Sequence, residues 1–200
     1  MAGRRVAHPI EVESMGILRS RYDFTRFAPL SRAVAERVCH ASADLSFADS
    51  LVLDEDALRS GRAALAGGAP VYADARMVAA GVTTREVVVP LADPRVPELA
   101  TASGVTRSAA AMALAAREAP AGAVWVVGNA PTALFQLLKE PPREPALIIG
   151  LPVGFVGAAE AKAALVASGL PCVANVGERG GSAVAVAAVN ALLYFSEEGG

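Results

Sequence analysis

Ala123-Val124-Trp125-Val126-Val127 is an unbroken apolar run that stops at Gly128-Asn129-Ala130-Pro131. Beyond it, 132–139 resumes helical spacing, and Pro131 suits a first helical turn because its φ is fixed and its missing N–H would have no partner there. A buried strand, a glycine turn and a helix make half of a β-α-β crossover unit, and the same order returns twice. Ala146-Leu147-Ile148-Ile149 leads through 150–157 into a helix over 158–167 that Gly169 can terminate. Residues 171–176 lead through Gly177-Glu178-Arg179-Gly180-Gly181 into a closing apolar helix over 182–195. Strands joined by crossover helices pair in parallel, so the expected fold class is α/β: three layers, α/β/α, with a mainly parallel central sheet. Upstream, Val71-Tyr72-Ala73-Asp74 and Val87-Val88-Val89 are shorter strand candidates. Residues 31–40 read as a helix with Val34 and Val38 one turn apart on a core stripe.

The chain has 200 residues, enough for one sizeable core, so a single domain over 1–200 is expected, with residues 1–8 as a flexible lead-in. Apolar residues make up 54% but aromatic ones only 5%, so the core must be built from Ala, Val and Leu on closely packed elements. No apolar run approaches the roughly 18 to 20 residues that span a bilayer, and Met1-Ala2-Gly3-Arg4-Arg5 opens without an apolar signal core. A soluble, cytoplasmic protein with no membrane partner is expected. The net charge is −2 with no basic stripe, which argues against nucleic acid, whose binding depends on neutralising many phosphates. Cys39 and Cys172 lie far apart without metal-ligand spacing and read as buried thiols in a reducing compartment.

Several chemistries are excluded by residue type. His8 and His40 are the whole histidine complement, so a multi-histidine metal site is impossible, and neither HExxH nor paired CxxC occurs. Gly150, Gly154 and Gly157 lack the spacing of a dinucleotide fingerprint, and no glycine loop ends in Gly-Lys-Ser/Thr. Gly180-Gly181-Ser182 is followed by Val184 where a nucleophile elbow needs glycine. What survives is one histidine, arginines, hydroxyls and amides beside helix N-termini that can receive carboxylates. Parallel sheets bind ligands at the carboxyl ends of their strands, so Asp74, Asn129, 150–157 and 177–182 should share one rim. Spacing alone leaves His40 open as an acid or as a hydrogen-bonded helix-end residue.

Six segments, in order, carry a resemblance: Arg37-Val38-Cys39-His40, Asp74-Ala75-Arg76-Met77-Val78, Thr106-Arg107-Ser108-Ala109-Ala110, Gly128-Asn129-Ala130-Pro131-Thr132-Ala133-Leu134-Phe135, Leu151-Pro152-Val153-Gly154-Phe155-Val156-Gly157-Ala158-Ala159-Glu160, and Gly180-Gly181-Ser182-Ala183. From about Pro9 to about Leu193 the chain resembles the precorrin-8X methylmutase / cobalt-precorrin-8 methylmutase family. The resemblance implies an isomerase of cobalamin (corrin) biosynthesis. It would move a methyl group from ring carbon 11 to 12 of precorrin-8X or cobalt-precorrin-8, giving hydrogenobyrinate or cobyrinate, with no separate cofactor and no metal site.

It also implies His40 as the catalytic acid, Ser14 and Arg37 as substrate-binding residues, and a homodimer. Further binding candidates are Thr106, Arg107, Ser108, Asn129, Thr132, Gly180, Gly181 and Ser182, although helix capping and turn geometry are equally cheap uses of most of them. Asp74 is read as structural, since its carboxylate would repel an acidic substrate. Met15-Gly16 after Ser14 and Ser42-Ala43 after His40 depart from the family's usual pattern. Two other readings stand beside this one: a non-catalytic corrinoid-binding carrier, and a nucleotide-dependent α/β enzyme motivated only by the glycine loops.

Overall fold

The computed structural model describes residues 8–196. The expected lead-in over 1–8 lies outside the described residues apart from His8, whose Nδ1 accepts the Ile10 N–H at 3.3 Å and so caps the first helix, α1 (Pro9–Arg21). Helix α2 (Pro29–Ser42) runs two residues further at each end than 31–40. Its N-cap, Ala28, has only a methyl group and makes no side-chain cap bond. The carboxylate of Glu55 supplies the cap from a distance, accepting the backbone N–H groups of Leu30 and Ser31, each at 2.9 Å, and the Ser31 hydroxyl at 2.7 Å. At the other end Ala43 turns left-handed at φ 52°, and its N–H closes on the carbonyls of Cys39 and His40.

After the short α3 (Phe47–Ser50) come β1 (Leu51–Leu53), α4 (Glu55–Ala66), β2 (Val71–Ala73) and α5 (Arg76–Gly81). A 3₁₀ turn (Pro90–Ala92) leads to α6 (Val96–Ser103) and α7 (Arg107–Glu118). The three crossover units follow as β3 (Val124–Val127), α8 (Pro131–Lys139), β4 (Leu147–Gly150), α9 (Ala158–Ala167), β5 (Cys172–Asn175) and α10 (Ser182–Tyr194). The strands form one sheet in the order β1-β5-β4-β3-β2. Four are parallel, and β1 closes the edge antiparallel to β5, with Val52 opposite Ala174. The fold is the expected α/β/α, mainly parallel.

Strand alternation assigns the two layers. Val124, Val126, Leu147, Ile149 and Val173 face a core shared with α2, α4, α5 and α10. Trp125, Val127, Ile148 and Ala174 face α7, α8 and α9. Both faces are covered, so the strands read as continuous apolar runs rather than alternating ones. Ile148 and Ile149 are fully buried on opposite faces, and truncating either to alanine would cost roughly 2–5 kcal/mol.

One expectation needed correction. Val87-Val88-Val89 forms no strand: Val88 makes a single bridge beside Tyr72, donating to the Val71 carbonyl at 2.8 Å and accepting from Ala73 at 2.9 Å. Pro90 follows at once with no N–H to extend the ladder, and it starts the 3₁₀ turn instead. The strand β1 and helices α1, α3, α4, α5 and α6 are additions to the reading from sequence.

Candidate active site

Helix α1 reaches the site because it is pinned to α2. Arg19 makes a two-pronged bond to Glu36, 2.9 Å from Nε and 2.7 Å from Nη2, and Glu36 is buried and also accepts from Arg32 at 2.9 Å. Arg37 Nη1 donates to Glu11 at 2.6 Å. With α1 so held, the Ser14 hydroxyl lies 3.2 Å from Nδ1 of His40. That leaves Nε2 as the ring nitrogen open to a ligand.

His40 lines a cleft of about 450 Å³ together with Arg37, Met77, Ser182, Asn190 and Tyr194. Three helices build it: the C-terminal part of α2, α5, and one face of α10 from Ser182 to Tyr194. Met77 is 71% exposed at its mouth. Beside the histidine, burial pushes the Cys39 thiol up to about 11, so it stays protonated near neutral pH and offers no thiolate. A larger groove of about 700 Å³, between α1, α2 and the end of α10, shares Arg37 and Tyr194 with this cleft but does not include His40.

A second group of expected residues gathers further along the rim. Thr106 caps α7, accepting the Ala109 N–H at 3.2 Å, and its hydroxyl also lies 2.8 Å from the hydroxyl of Thr132 on α8. Two helix N-termini therefore sit side by side, an arrangement that favours anions. Arg107 opens α7 exposed, its guanidinium making no ion pair or hydrogen bond among the described residues; Ser108 follows half-buried, and Asn129 is exposed. Asp74 takes the structural role expected of it. Its buried carboxylate accepts the N–H groups of Gly128, Asn129 and Ala130 at 3.0, 2.8 and 2.7 Å, fixing the turn between β3 and α8. Burial nevertheless pushes its carboxyl above the ordinary range.

Thr106, Arg107, Ser108, Asn129 and Thr132 do not line the His40 cleft; of the rim candidates only Ser182 does. The two groups are joined through close packing. A Cβ added at Gly128 would sit 2.8 Å from that of Ala185 and 3.0 Å from Cα of Ser182. The loop 151–157 lies between them, touching Pro131 and Phe135 on one side and the Gly181 turn on the other, with Phe155 92% and Val156 88% exposed at its tip. Gly180 does permit close backbone approach, but to the protein itself: a Cβ there would stand 2.3 Å from the Leu151 carbonyl oxygen. Gly181 adopts φ 127°, and the Ser182 hydroxyl makes no cap bond.

Asn190 and Tyr194 escaped the sequence reading. Asn190 donates to the Gly81 carbonyl at 2.9 Å while its own Oδ1 is buried without a partner. A lone amide in an otherwise apolar helix, one turn from Val186 and one from Tyr194, was the available signal. Among the described residues, no three His, Cys, Asp or Glu side chains form a group that could hold a metal ion, and no helix is long and apolar enough to cross a membrane.

Fold and cleft together define the class: an α/β enzyme with its polar groups on the carboxyl edge of a parallel sheet. The family described as precorrin-8X methylmutase matches residues 9–195. The chain belongs to that family and is an isomerase of cobalamin biosynthesis. It is 44% identical to a precorrin-8X methylmutase of Sinorhizobium sp, over 94% of each chain. It is 42% identical to a cobalt-precorrin-8 methylmutase of Salmonella typhimurium, over 91% of this chain and 90% of the relative. A solved precorrin-8x methyl mutase from Thermus thermophilus superposes with a TM-score of 0.82 at 38% identity, covering 92% of this chain and 93% of the other.

Proposed function

We propose that this chain converts precorrin-8X or cobalt-precorrin-8 into the hydrogenobyrinate or cobyrinate product, with His40 as the acid. One methyl group leaves ring carbon 11 and bonds to carbon 12 of the same macrocycle, so no electrons are gained or lost and no separate cofactor is called for. The observation that carries this reading is the Ser14–His40 contact at the cleft. Ser14 fixes the imidazole through Nδ1, and Nε2 shares a proton with the conjugated ring as its electrons redistribute, a contribution of roughly 10²–10⁴ in rate.

Substrate carboxylates are met by Arg107 and the paired helix N-termini of α7 and α8, with Ser108, Asn129 and Thr132 nearby and Gly180, Gly181 and Ser182 shaping the wall beside His40. Arg37 serves at the cleft edge while tied to Glu11. The protein acts in the cytoplasm, as a single domain and as a homodimer; the exposed Phe155 and Val156 supply apolar surface of the kind subunits cover.

The test is to add purified protein to precorrin-8X, and separately to its cobalt form, without nucleotide or metal, and follow the absorption spectrum. Conversion by the native chain and its loss in a folded His40→Ala variant are expected. Tight product binding without conversion would instead identify a carrier, and an active alanine variant would remove His40 from the role.

A further inference from the structure

Lys162, on α9, is buried to 1% exposure, yet among the described residues no carboxylate bonds to its ammonium. The group is met by two neutral oxygens, the Asn175 side-chain oxygen at 3.1 Å and the Arg179 carbonyl at 2.6 Å. Asn175, the last residue of β5, returns its own amide to the same Arg179 carbonyl at 3.0 Å and to that of Val176 at 3.2 Å. Burying an ammonium costs several kcal/mol in real proteins, and methionine would fill the same space without that cost. What the lysine and asparagine achieve together is to hold one backbone carbonyl from two directions. That carbonyl immediately precedes Gly180-Gly181-Ser182.

The Arg179 side chain points the other way. Its Nη1 pairs with Asp44 and donates to the Ser46 hydroxyl at 2.6 Å, and the guanidinium lies 5.0 Å over the Phe47 ring. Asp44 to Phe47 form the turn that leaves the His40 helix. A single residue is thus gripped by its backbone from the sheet edge and by its side chain from the end of α2. Further on, Gly181 donates to the Leu151 carbonyl at 2.8 Å, and Ser182 enters the cleft.

We propose that Lys162 is a positioning residue for the methyl shift: through Arg179 it sets the spacing between the Gly180–Ser182 wall and the His40 helix. The proposal rests on the reading that the His40 cleft is where the reaction occurs. Small displacements of a site wall are expensive in rate, since about 1 Å can cost on the order of a hundredfold. Lys162 touches neither substrate nor His40 in this scheme.

Two variants of the full-length protein test it, read by hydrogen exchange and by steady-state kinetics on precorrin-8X. In Lys162→Met, exchange at the Gly181 amide should rise at least tenfold while the α7 amides keep their protection, and kcat should fall at least tenfold with KM changed less than threefold. Arg179→Met alters a half-exposed side chain and leaves the core intact. It should lower kcat at least fivefold without lowering Tm, and Arg179→Lys should restore most of the loss. Unchanged Gly181 exchange in Lys162→Met, or unchanged kcat in both Met variants, overturns the proposal. Native protein that fails to convert precorrin-8X sinks the reaction reading, and the positioning role of Lys162 in that reaction with it; raised Gly181 exchange in that case would still establish the clasp.

Discussion

The Ser14 hydroxyl reaches Nδ1 of His40 at 3.2 Å across the seam between α1 and α2. A neutral hydrogen bond of this kind contributes about 1 kcal/mol, or roughly fivefold in an equilibrium or rate. Ser14→Ala should therefore lower kcat about three- to tenfold, and in a His40→Ala background it should have no further effect, because its only route to the chemistry is the imidazole. Turnover of the two single variants and the double variant decides the point. Multiplying losses would mean that Ser14 acts on the substrate directly.

Arg107 separates binding from folding cleanly, being exposed and without an ion pair among the described residues. Replacing it by alanine should leave the unfolding free energy measured in urea unchanged within about 0.5 kcal/mol. If it holds a substrate carboxylate, the lost charge-assisted bond should weaken product binding by about 1.5–3 kcal/mol, ten- to hundredfold. Titration calorimetry with the product reads this directly, and equal affinities would remove Arg107 from the site.

Asp74 carries three donors on two oxygens: Oδ1 takes Gly128, and Oδ2 takes Asn129 and Ala130. An asparagine presents one acceptor and one donor, so at least one of the three N–H groups must face another N–H. Asp74→Asn should destabilise the fold by about 1–3 kcal/mol, the cost of one buried orphaned donor. Chemical denaturation measures it. A variant as stable as the native protein would show that water reaches this turn.

The sheet was legible because β3, β4 and β5 are covered on both faces and so read as uninterrupted apolar runs between glycine turns. The site was less so, because its geometry depends on partners distant in sequence. Nothing local to Ser14 indicates His40; the contact exists because Arg19 and Glu36 dock α1 on α2. Likewise the cap on α2 comes from Glu55, on another helix. Lys162 did leave a trace: Ala158, Ala161 and Leu165, at i−4, i−1 and i+3, are all fully buried, which places the lysine on the inward stripe of α9.

Gly180 is where the backbone leaves no room. A Cβ would lie 2.3 Å from the Leu151 carbonyl oxygen and 2.6 Å from that of Pro152, both backbone atoms that cannot swing aside. Gly180→Ala should therefore shift the whole turn and cost about 1–3 kcal/mol, the usual range for overpacking. Activity should fall with it, since Ser182 moves too. Thermal melts and turnover on the same samples test both, and a fully active, equally stable variant would count against the tight approach.

Lys162 also ties stability to pH, with a definite sign. Its ammonium is held down to about 8 from the ordinary 10.5, first by burial and then by the Arg179 charge, with Glu178 acting the other way. Between those values the unfolded chain binds more protons at this position than the folded one, so stability should rise as pH rises from about 8 towards 10.5 and be lost as pH falls back through 8. The full effect is on the order of 3 kcal/mol at 1.36 kcal/mol per pKa unit. Tyrosines and thiols titrate in the same interval, so the meaningful quantity is the difference between native protein and Lys162→Met, which lacks this group alone. Unfolding free energies of the pair, measured by urea at pH 7.5, 8.5, 9.5 and 10.5, should converge or cross in favour of the native chain as pH increases. A constant gap across the series would mean that the ammonium keeps its proton in the fold, with its two oxygen acceptors fully offsetting burial.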